Sequence, residues 1–359
     1  MAIRTPLYDW HLENGAVIVE FGGWDMPIRY GSISDEHLRV RKSCGMFDVS
    51  HMGRLSFSGK DSFDLIQKIW TNDAGTMKDL QVRYGLLCQD DGGILDDILV
   101  YKWPHGWSMV VNASNREKII TWINKNKVGM DVDLEDQTNR TAMLAVQGPD
   151  SLTRCSGLFP VELEKIGYYQ ACQTKYAGMP CVLSRTGYTG EEGIEIVIPG
   201  YLGPELAEIL KSRGVFPCGL GSRDTLRLEA AMPLYGHELS EQIDPIQAGL
   251  GWAVKTGKGS FIGKEAMELR QKNASRKIRV GLEVEGRRAA RENALIKRES
   301  KEIGKVTSGT VTPTINKPIA MAYIEQEYSK PGTELLVELG KAEAKARVVS
   351  MPFYKRLKS

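Results

Sequence analysis

Residues 90–101 have the sequence DDGGILDDILVY, in which a tight turn leads into an apolar strand that carries two adjacent carboxylates. The glycines favour the turn, and the apolar residues after it favour a β-strand. Side chains alternate along a strand, so Asp96 and Asp97 lie on opposite faces and at least one has apolar neighbours. A buried carboxylate is costly unless it is paired, hydrogen-bonded or lines a ligand cavity, so either residue is a candidate for function. The alternative is an acid that faces solvent at the end of the strand.

A second glycine-rich turn leads into a strand in residues 185–198, with the sequence RTGYTGEEGIEIVI. Glu195 stands between two isoleucines in this strand. A carboxylate can accept two parallel hydrogen bonds from adjacent N–H and NH₂ groups, which form the edge that a pterin or guanine ring presents. Glu195 is therefore a candidate for ligand binding, and an edge-strand acid that points outward is the alternative.

A third segment predicts a helix over residues 222–232, which ends before Pro233. Arg223 would lie in its first turn, where a positive charge is unfavourable with the helix dipole. Binding of a ligand carboxylate would explain this arginine, and so would an ion pair with Asp224 or a neighbouring element. Further helices are predicted over residues 34–42, with Ser34 as the cap, and over residues 115–125 and 264–271.

The composition excludes several classes of protein. The chain has 359 residues, with 47 Lys or Arg and 45 Asp or Glu, for a net charge of +2. This balance lacks the positive field on which sequence-independent nucleic-acid binding depends, so we expect a small molecule or a protein as partner and no nucleic acid. No segment approaches the roughly 20 apolar residues of a membrane span, and no secretory or transit signal is visible. We therefore expect a cytoplasmic protein with no membrane partner.

Metal and nucleotide motifs find no support in the sequence. The six cysteines are irregularly spaced, and no histidine set could complete a zinc site, so we expect reduced, mostly buried thiols and no metal. Residues 251–259 resemble a phosphate loop, but the second glycine comes one residue late and no Ser or Thr follows the lysine. We expect structural roles for the five histidines, His11, His37, His51, His105 and His237.

The chain changes character near its C-terminal quarter. Residues 255–275 are rich in Lys, Gly, Ser and Glu, which indicates a domain boundary. After them, short apolar segments recur at intervals with turn residues between them, a pattern typical of a small β-barrel or sandwich. The length alone, at about 150 residues per domain, predicts two or three domains.

Taken together, ten segments closely resemble the aminomethyltransferase family of the glycine cleavage system, the T-proteins. They occur in the order of the family from near the first residue into the C-terminal domain. They are TPLYDWH (5–11), FGGWDMP (21–27), EHLRVR (36–41), GMFDVSHMG (45–53), GGILDD (92–97), VNASNREK (111–118), AVQGP (145–149), RTGYTGE (185–191), SRDTLRLEA (222–230) and TSGTVTP (307–313).

The resemblance implies a fold and a reaction. The implied fold is of the α+β class, a three-domain cloverleaf with mixed or antiparallel sheets, a central folate cavity and a C-terminal β-barrel or jelly-roll-like domain. Residues 1–50 and 138–255 would form the first domain, 51–137 an inserted α+β domain and 275–359 the third. The implied reaction transfers the methylene of a lipoyl-bound aminomethyl group to tetrahydrofolate with release of ammonia. The lipoylated H-protein would be the partner.

The resemblance also assigns roles to individual residues. Asp96 matches the catalytic aspartate, which would orient folate, stabilise a developing cation and help to remove a proton. Glu195 matches the acid that binds the pterin edge, and Arg223 an arginine on the folate side. Arg356 is expected at the glutamate tail of folate. The residues expected to line the cavity are Met52, Tyr84, Asn112, Tyr188 and Tyr235.

Two other functions remain open at this point. A relative could demethylate another small donor, such as a sulfonium compound or a methylated amine, onto the same folate. Folate-binding assembly factors for iron–sulfur proteins bind folate without this transfer. Their Lys-Gly-Cys-Tyr type motif is not found in the sequence, whereas the position of the catalytic aspartate is filled.

Overall fold

The computed structural model describes residues 2–272 and 276–356. Within these residues the helices are α1 (Tyr8–Glu13), α2 (Ile33–Lys42), α3 (Ser62–Ile69), α4 (Arg116–Asn126), α5 (Ser151–Cys155), α6 (Gly203–Ser212), α7 (Leu220–Glu229) and α8 (Lys264–Gln271). None of these helices is long and apolar enough to cross a membrane.

Most of the strands belong to long antiparallel ladders. In chain order the strands are β1 (Ile3–Arg4), β2 (Val17–Phe21), β3 (Trp24–Arg29), β4 (Gly45–Asp48), β5 (Gly53–Ser58), β6 (Val82–Cys88), β7 (Ile94–Trp103), β8 (Gly106–Val111), β9 (Asp133–Asp136), β10 (Thr141–Gln147), β11 (Ala171–Tyr176), β12 (Met179–Ser184), β13 (Gly193–Pro199), β14 (Phe216–Pro217), β15 (Lys277–Val284), β16 (Leu295–Arg298), β17 (Lys301–Val311), β18 (Pro318–Glu325), β19 (Glu334–Leu339) and β20 (Ala342–Val349).

The strands form three open sheets and a closed barrel. The sheets have the orders β1-β3-β2, β11-β12-β13-β10-β4-β14 and β6-β7-β8-β5-β9, and the barrel runs β15-β18-β17-β16-β19-β20. Parallel pairing occurs between β1 and β3 and between β4 and β14, so the sheets are mixed. The predicted α+β class with mixed sheets and a C-terminal barrel is confirmed. The five-stranded sheet is built from residues 53–136, and the exact domain boundaries stay predictions.

Two helix starts differ from the sequence prediction by one turn or less. Helix α2 is capped by Ser32, not Ser34, because the Ser32 side chain accepts a hydrogen bond from the Asp35 N–H at 3.1 Å. Helix α7 begins two residues earlier than predicted and ends at Glu229. Its N-cap Gly219 packs so closely on the backbone of Ile28 that a Cβ would lie 2.3 Å from the Ile28 carbonyl carbon. Glycine therefore fixes this helix against β3, and α7 begins next to the cavity described below.

Each large sheet and the barrel has its own apolar core. Leu144 and Ile196 represent the core of the six-stranded sheet, which packs on Leu206 of α6. The five-stranded sheet packs on α3 and α4, and the barrel encloses a third core. Burial of these side chains stabilises each part, since apolar area removed from water contributes about 25 cal/mol per Å². All six cysteines are unpaired, and Cys172 is the one that is only half-buried.

Candidate functional site

A cavity of about 560 Å³ lies where the parts of the structure meet. Its wall includes residues of β7 and β8 from the five-stranded sheet, of β10 and β13 from the six-stranded sheet, and of α7 and the segment that follows it. The wall is mostly apolar, with a few charged and hydrogen-bonding side chains. A volume between about 300 and 1,000 Å³ with this character is typical of small-molecule sites.

Most of the site residues predicted from the sequence line this cavity. They are Met52, Tyr84, Asn112, Tyr188, Glu195, Arg223 and Tyr235. Asp96 and Arg356 are not among the lining residues. The structure therefore places residues more than 180 positions apart in the sequence around one cavity. Asp96 and Arg356 lie outside its wall.

Asp97, not Asp96, borders the cavity. Strand alternation places the two carboxylates on opposite faces of β7. Asp97 and Leu99 of one face line the cavity, as does Ile98 between them. The Tyr84 hydroxyl donates to Oδ2 of Asp97 at 3.2 Å, and Nδ2 of Asn112 donates to Oδ1 at 2.8 Å. Asp96, for which the resemblance implied the catalytic role, does not border the cavity.

Asp96 lies behind the cavity wall and has no exposed surface. Its carboxylate accepts hydrogen bonds from the backbone N–H of Asn112 at 2.9 Å, from Nδ2 of Asn112 at 2.8 Å and from Nδ2 of Asn115 at 2.6 Å. Burial raises the pKa of both Asp96 and Asp97, and the negative charge of Asp97 raises the pKa of Asp96 further. Hydrogen bonds from the asparagines act in the opposite direction.

Glu195 and Arg223 form the second charged part of the wall. Glu195, on β13, is 6% exposed, and the Thr186 hydroxyl donates to its carboxylate. Burial raises the pKa of Glu195, although Thr186 and Arg223 oppose the shift. The acid therefore sits in a dry environment, where a ligand with paired donors would be a favourable partner.

Arg223, in the first turn of α7, has an unused donor. Its Nη1 is buried and has no hydrogen-bond partner among the described residues. The guanidinium carbon lies 4.9 Å from the centroid of the Tyr188 ring. Burial lowers the pKa of Arg223, and Glu195 opposes this shift. Asp224 pairs with Arg227 at 2.8 Å, so it is not the partner that the sequence offered as an alternative for Arg223.

The tyrosines are fixed by contacts at the cavity edge. The Tyr188 hydroxyl donates to the Pro233 carbonyl, and the Tyr84 ring stacks on Trp252 with centroids 5.4 Å apart. Nζ of Lys118 donates to the Tyr235 hydroxyl at 2.9 Å. These contacts hold the aromatic rings in place, so they contribute a preformed surface for a flat ligand.

Arg356 lies outside the lining residues but near them. Its Nη1 donates to Oε2 of Glu192 at 2.9 Å, and its guanidinium lies 5.7 Å from the Tyr168 ring centroid. Tyr168 in turn contacts the ring of Tyr169, which lines the cavity. The expected role of Arg356 at a ligand tail stays a prediction.

Sequence reasoning missed several lining residues. His51 was expected to be structural, yet it lines the cavity and its buried Nδ1 has no hydrogen-bond partner in the described part of the chain. Burial and the nearby Arg223 and Arg54 lower the pKa of His51 to about 4, against the charge of Asp48. Its position beside Met52 in a resembling segment was the available signal. Other lining residues without a sequence signal are Tyr169, His237, Trp252 and Arg279.

Across residues 2–272 and 276–356, no group of three or more His, Cys, Asp or Glu side chains could hold a metal ion. Carboxylates, guanidinium groups and imidazoles line this one cavity, which suits an organic ligand with polar edges; they are Asp97, Glu195, Asp224, Arg223, Arg227, Arg279, His51 and His237.

Comparisons with known proteins agree along the whole chain. Residues 7–258 match the family described as GCVT N-terminal domain, and residues 277–355 the glycine cleavage T-protein C-terminal barrel domain. Among curated proteins, an aminomethyltransferase of Desulfitobacterium hafniense is 44% identical over 359 residues, covering 98% of both chains. One of Anoxybacillus flavithermus is 43% identical over 365 residues, covering 100% of both.

A solved structure is similar as well. The crystal structure of glycine cleavage system aminomethyltransferase T from Bartonella henselae has a TM-score of 0.93 and 32% sequence identity, and the match covers 99% of both chains.

Proposed function

Because the chain belongs to the T-protein family of the glycine cleavage system, we propose that its cavity carries out the aminomethyltransferase reaction on tetrahydrofolate. The methylene of an aminomethyl group on the lipoyl arm of a carrier protein passes to tetrahydrofolate. Ammonia leaves, and the products are 5,10-methylenetetrahydrofolate and the dihydrolipoyl protein. We place the reaction in the cytoplasm, with the lipoylated H-protein as the carrier.

The residues of the cavity fit a folate. A pterin presents an N–H and an NH₂ on one edge, and the buried carboxylate of Glu195 is an acceptor of the matching kind. The unpartnered Nη1 of Arg223 offers a charged donor for an oxygen of the ligand. The tail of the folate would run past Tyr169 toward Arg356, which Glu192 already holds next to Tyr168.

Asp97 is the proposed catalytic residue. Tetrahydrofolate supplies the nitrogen atoms that accept the one-carbon unit. Tyr84 and Asn112 fix both carboxylate oxygens of Asp97 at the cavity wall, so its charge is held in place before the substrates bind. A fixed carboxylate stabilises positive charge that develops on the transferred carbon and accepts the proton that is released as the ring closes. We assign this role to Asp97 instead of Asp96 because Asp96 does not border the cavity.

One observation carries the proposal: Asp97, Glu195 and Arg223 line the same cavity in a chain that matches the family over nearly its full length. The test is an assay of the purified protein with aminomethyl-loaded lipoyl carrier protein and tetrahydrofolate, which follows methylenetetrahydrofolate and ammonia. Both products should form in equal amounts. Activity with a methylated amine or a sulfonium donor, and none with the loaded carrier, would identify a demethylase instead.

Asp97→Asn tests the assignment of the catalytic group. The substitution keeps the shape but removes the charge, so we expect kcat to fall by at least about 100-fold. The matched control is Asp91→Asn in the turn before the same strand, where the half-exposed carboxylate pairs with Arg270 at 3.3 Å. The control should keep the activity of the wild type. Equal activity of all three proteins would contradict the role of Asp97.

A further inference from the structure

We infer that Asp96 is a positioning residue for the reaction: it holds the side chain of Asn112, and through Asn112 it sets the orientation and charge of the Asp97 carboxylate. This inference rests on the proposed function, in which Asp97 contacts the substrates. It gives a role to a buried carboxylate that touches no ligand.

The hydrogen bonds form one continuous connection. Nδ2 of Asn112 donates both to Oδ1 of Asp96 and to Oδ1 of Asp97, at 2.8 Å in each case. The backbone N–H of Asn112 also donates to Asp96, at 2.9 Å, so Asp96 fixes both the backbone and the side chain of Asn112. Asn115 fixes Asp96 in turn. A single amide group therefore lies between the hidden carboxylate and the one that borders the cavity.

Asp96 carries a buried carboxylate that no neighbouring cation in the described part of the chain balances. Two other fully buried carboxylates are paired with cations, Glu238 with Arg227 at 2.7 Å and Glu229 with Arg41 at 2.9 Å. Neither Asp96 nor Asp97 has a cationic group within 4.0 Å in the described residues. A buried carboxylate without a cation is destabilising relative to a neutral side chain of the same shape. N–H donors face both oxygens of Asp96, so this position requires a side chain that only accepts hydrogen bonds, and Asp96 thereby fixes Asn112.

The two carboxylates also interact electrostatically. Two carboxylates that share a hydrogen-bond donor repel each other, so the charge of either one disfavours the charged form of the other and the pair loses its protons in coupled steps. The burial of both side chains acts in the same direction. Other titratable or charged groups also face the pair, and they remain in place when Asp96 is changed; they are Tyr84, Tyr188, Tyr235 and Arg279.

The test is the pH dependence of kcat in Asp96→Asn and Asn112→Ser. In the wild type the rate should rise with pH as the pair of Asp96 and Asp97 loses its protons. Removal of the Asp96 charge should move this rise to lower pH by about one unit and lower the plateau about tenfold, because Asp97 becomes a weaker base. Loss of the donor in Asn112→Ser should move the rise to higher pH. The KM for tetrahydrofolate should stay within about twofold in Asp96→Asn.

Shifts of the pH profile in opposite directions in the two variants distinguish a positioning role from a general loss of structure. A structural role alone would lower the rate in both variants without moving the pH of the rise. An unmoved profile in Asp96→Asn, or shifts in the same direction in both variants, would overturn the inference. Asp91→Asn again serves as the control for loss of one negative charge from the same hairpin, and its profile should match the wild type.

A second measurement needs no enzymatic activity. In protein labelled with ¹³C at the aspartate carboxyl carbons, the signal of Asp97 is assigned by its absence in Asp97→Asn, and its titration is followed by NMR. Asp96→Asn should lower the titration midpoint of this signal, even if the proposed reaction were absent. A midpoint equal to that of the wild type would overturn the inference without bearing on the proposed function.

Discussion

Two buried groups of charges in this molecule differ in how their hydrogen bonds are used. The first, called here the paired cluster, consists of His37, Arg41, Glu191 and Glu229, between α2 and α7. Arg41 donates to Glu229 at 2.9 Å and to Glu191 at 2.9 Å, and Nε2 of His37 lies 3.1 Å from Glu229. Although burial alone would raise it, the pKa of Glu229 is lowered by His37 and Arg41.

The second group lines the cavity, and some of its buried nitrogen atoms form no hydrogen bond with the described residues. Nη1 of Arg223 and Nδ1 of His51 are buried without partners in the described residues. Glu195 accepts a hydrogen bond from Thr186 and has a raised pKa, the reverse of Glu229. The charges of the paired cluster satisfy one another and stabilise the fold, whereas the unpartnered donors at the cavity wall can still bind a ligand.

Breaking the paired cluster should have the largest effect on stability. Arg41→Met leaves Glu229 and Glu191 buried without their cation, and we expect the free energy of unfolding to fall by about 3–5 kcal/mol. Guanidinium unfolding followed by circular dichroism measures this. Lys165→Met, which removes an exposed pair with Glu162, is the control and should change the free energy by less than about 1 kcal/mol. A loss of similar size in both variants would mean that burial of the cluster adds nothing.

Glu195→Gln should have a smaller effect, and on binding instead of stability. Loss of the charged acceptor should raise the Kd for tetrahydrofolate about 10- to 100-fold, equivalent to about 1.4–2.7 kcal/mol. The free energy of unfolding should stay the same or rise slightly at pH 8, because the fold disfavours the charged form of Glu195. Calorimetric titration gives the Kd. An unchanged Kd would remove Glu195 from the binding site, and a large loss of stability would place it with the paired cluster.

The smallest expected effect is the pH dependence of stability at Asp97. Its pKa is higher in the folded chain than in the unfolded chain, so the folded state binds more protons and stability falls as pH rises through the raised pKa. Asp97→Asn lacks this loss. We expect its Tm to exceed that of the wild type by about 2 °C at pH 8 and to equal it at pH 4. A lower Tm for the variant at pH 8 would show that the Asp97 charge stabilises the fold.

The pair of Asp96 and Asp97 shows which features of the site could be predicted from the sequence and which could not. Alternation along the strand predicted that Asp96 and Asp97 lie on opposite faces, which is correct. The face that borders a cavity depends on how the five-stranded sheet packs against α7 and the six-stranded sheet, and no local pattern contains that information. The resemblance assigned the catalytic role to Asp96, one position from the residue that lines the cavity.

Other differences between the sequence prediction and the structure also arise from contacts between distant parts of the chain. The acid at Glu195, the arginine at Arg223 and the C-terminal barrel were predicted from local patterns and family segments, and the barrel is confirmed. His51 was expected to be structural because it belongs to no triad or metal spacing, and the missing partner of its Nδ1 is visible only in three dimensions. The pairing of Arg356 with Glu192 joins residues 164 positions apart, beyond the reach of any sequence period.

The stacked pair of Trp252 and Tyr84 provides a way to follow ligand binding in the cavity by tryptophan fluorescence. Trp252 is 59% exposed and lines the cavity, so its indole is in contact with water at the place where a ligand would enter. Displacement of that water should change the emission of this one fluorophore among the seven tryptophans of the chain. Subtraction of the spectrum of Trp252→Phe isolates its signal, so binding and dissociation could be timed in the unlabelled protein.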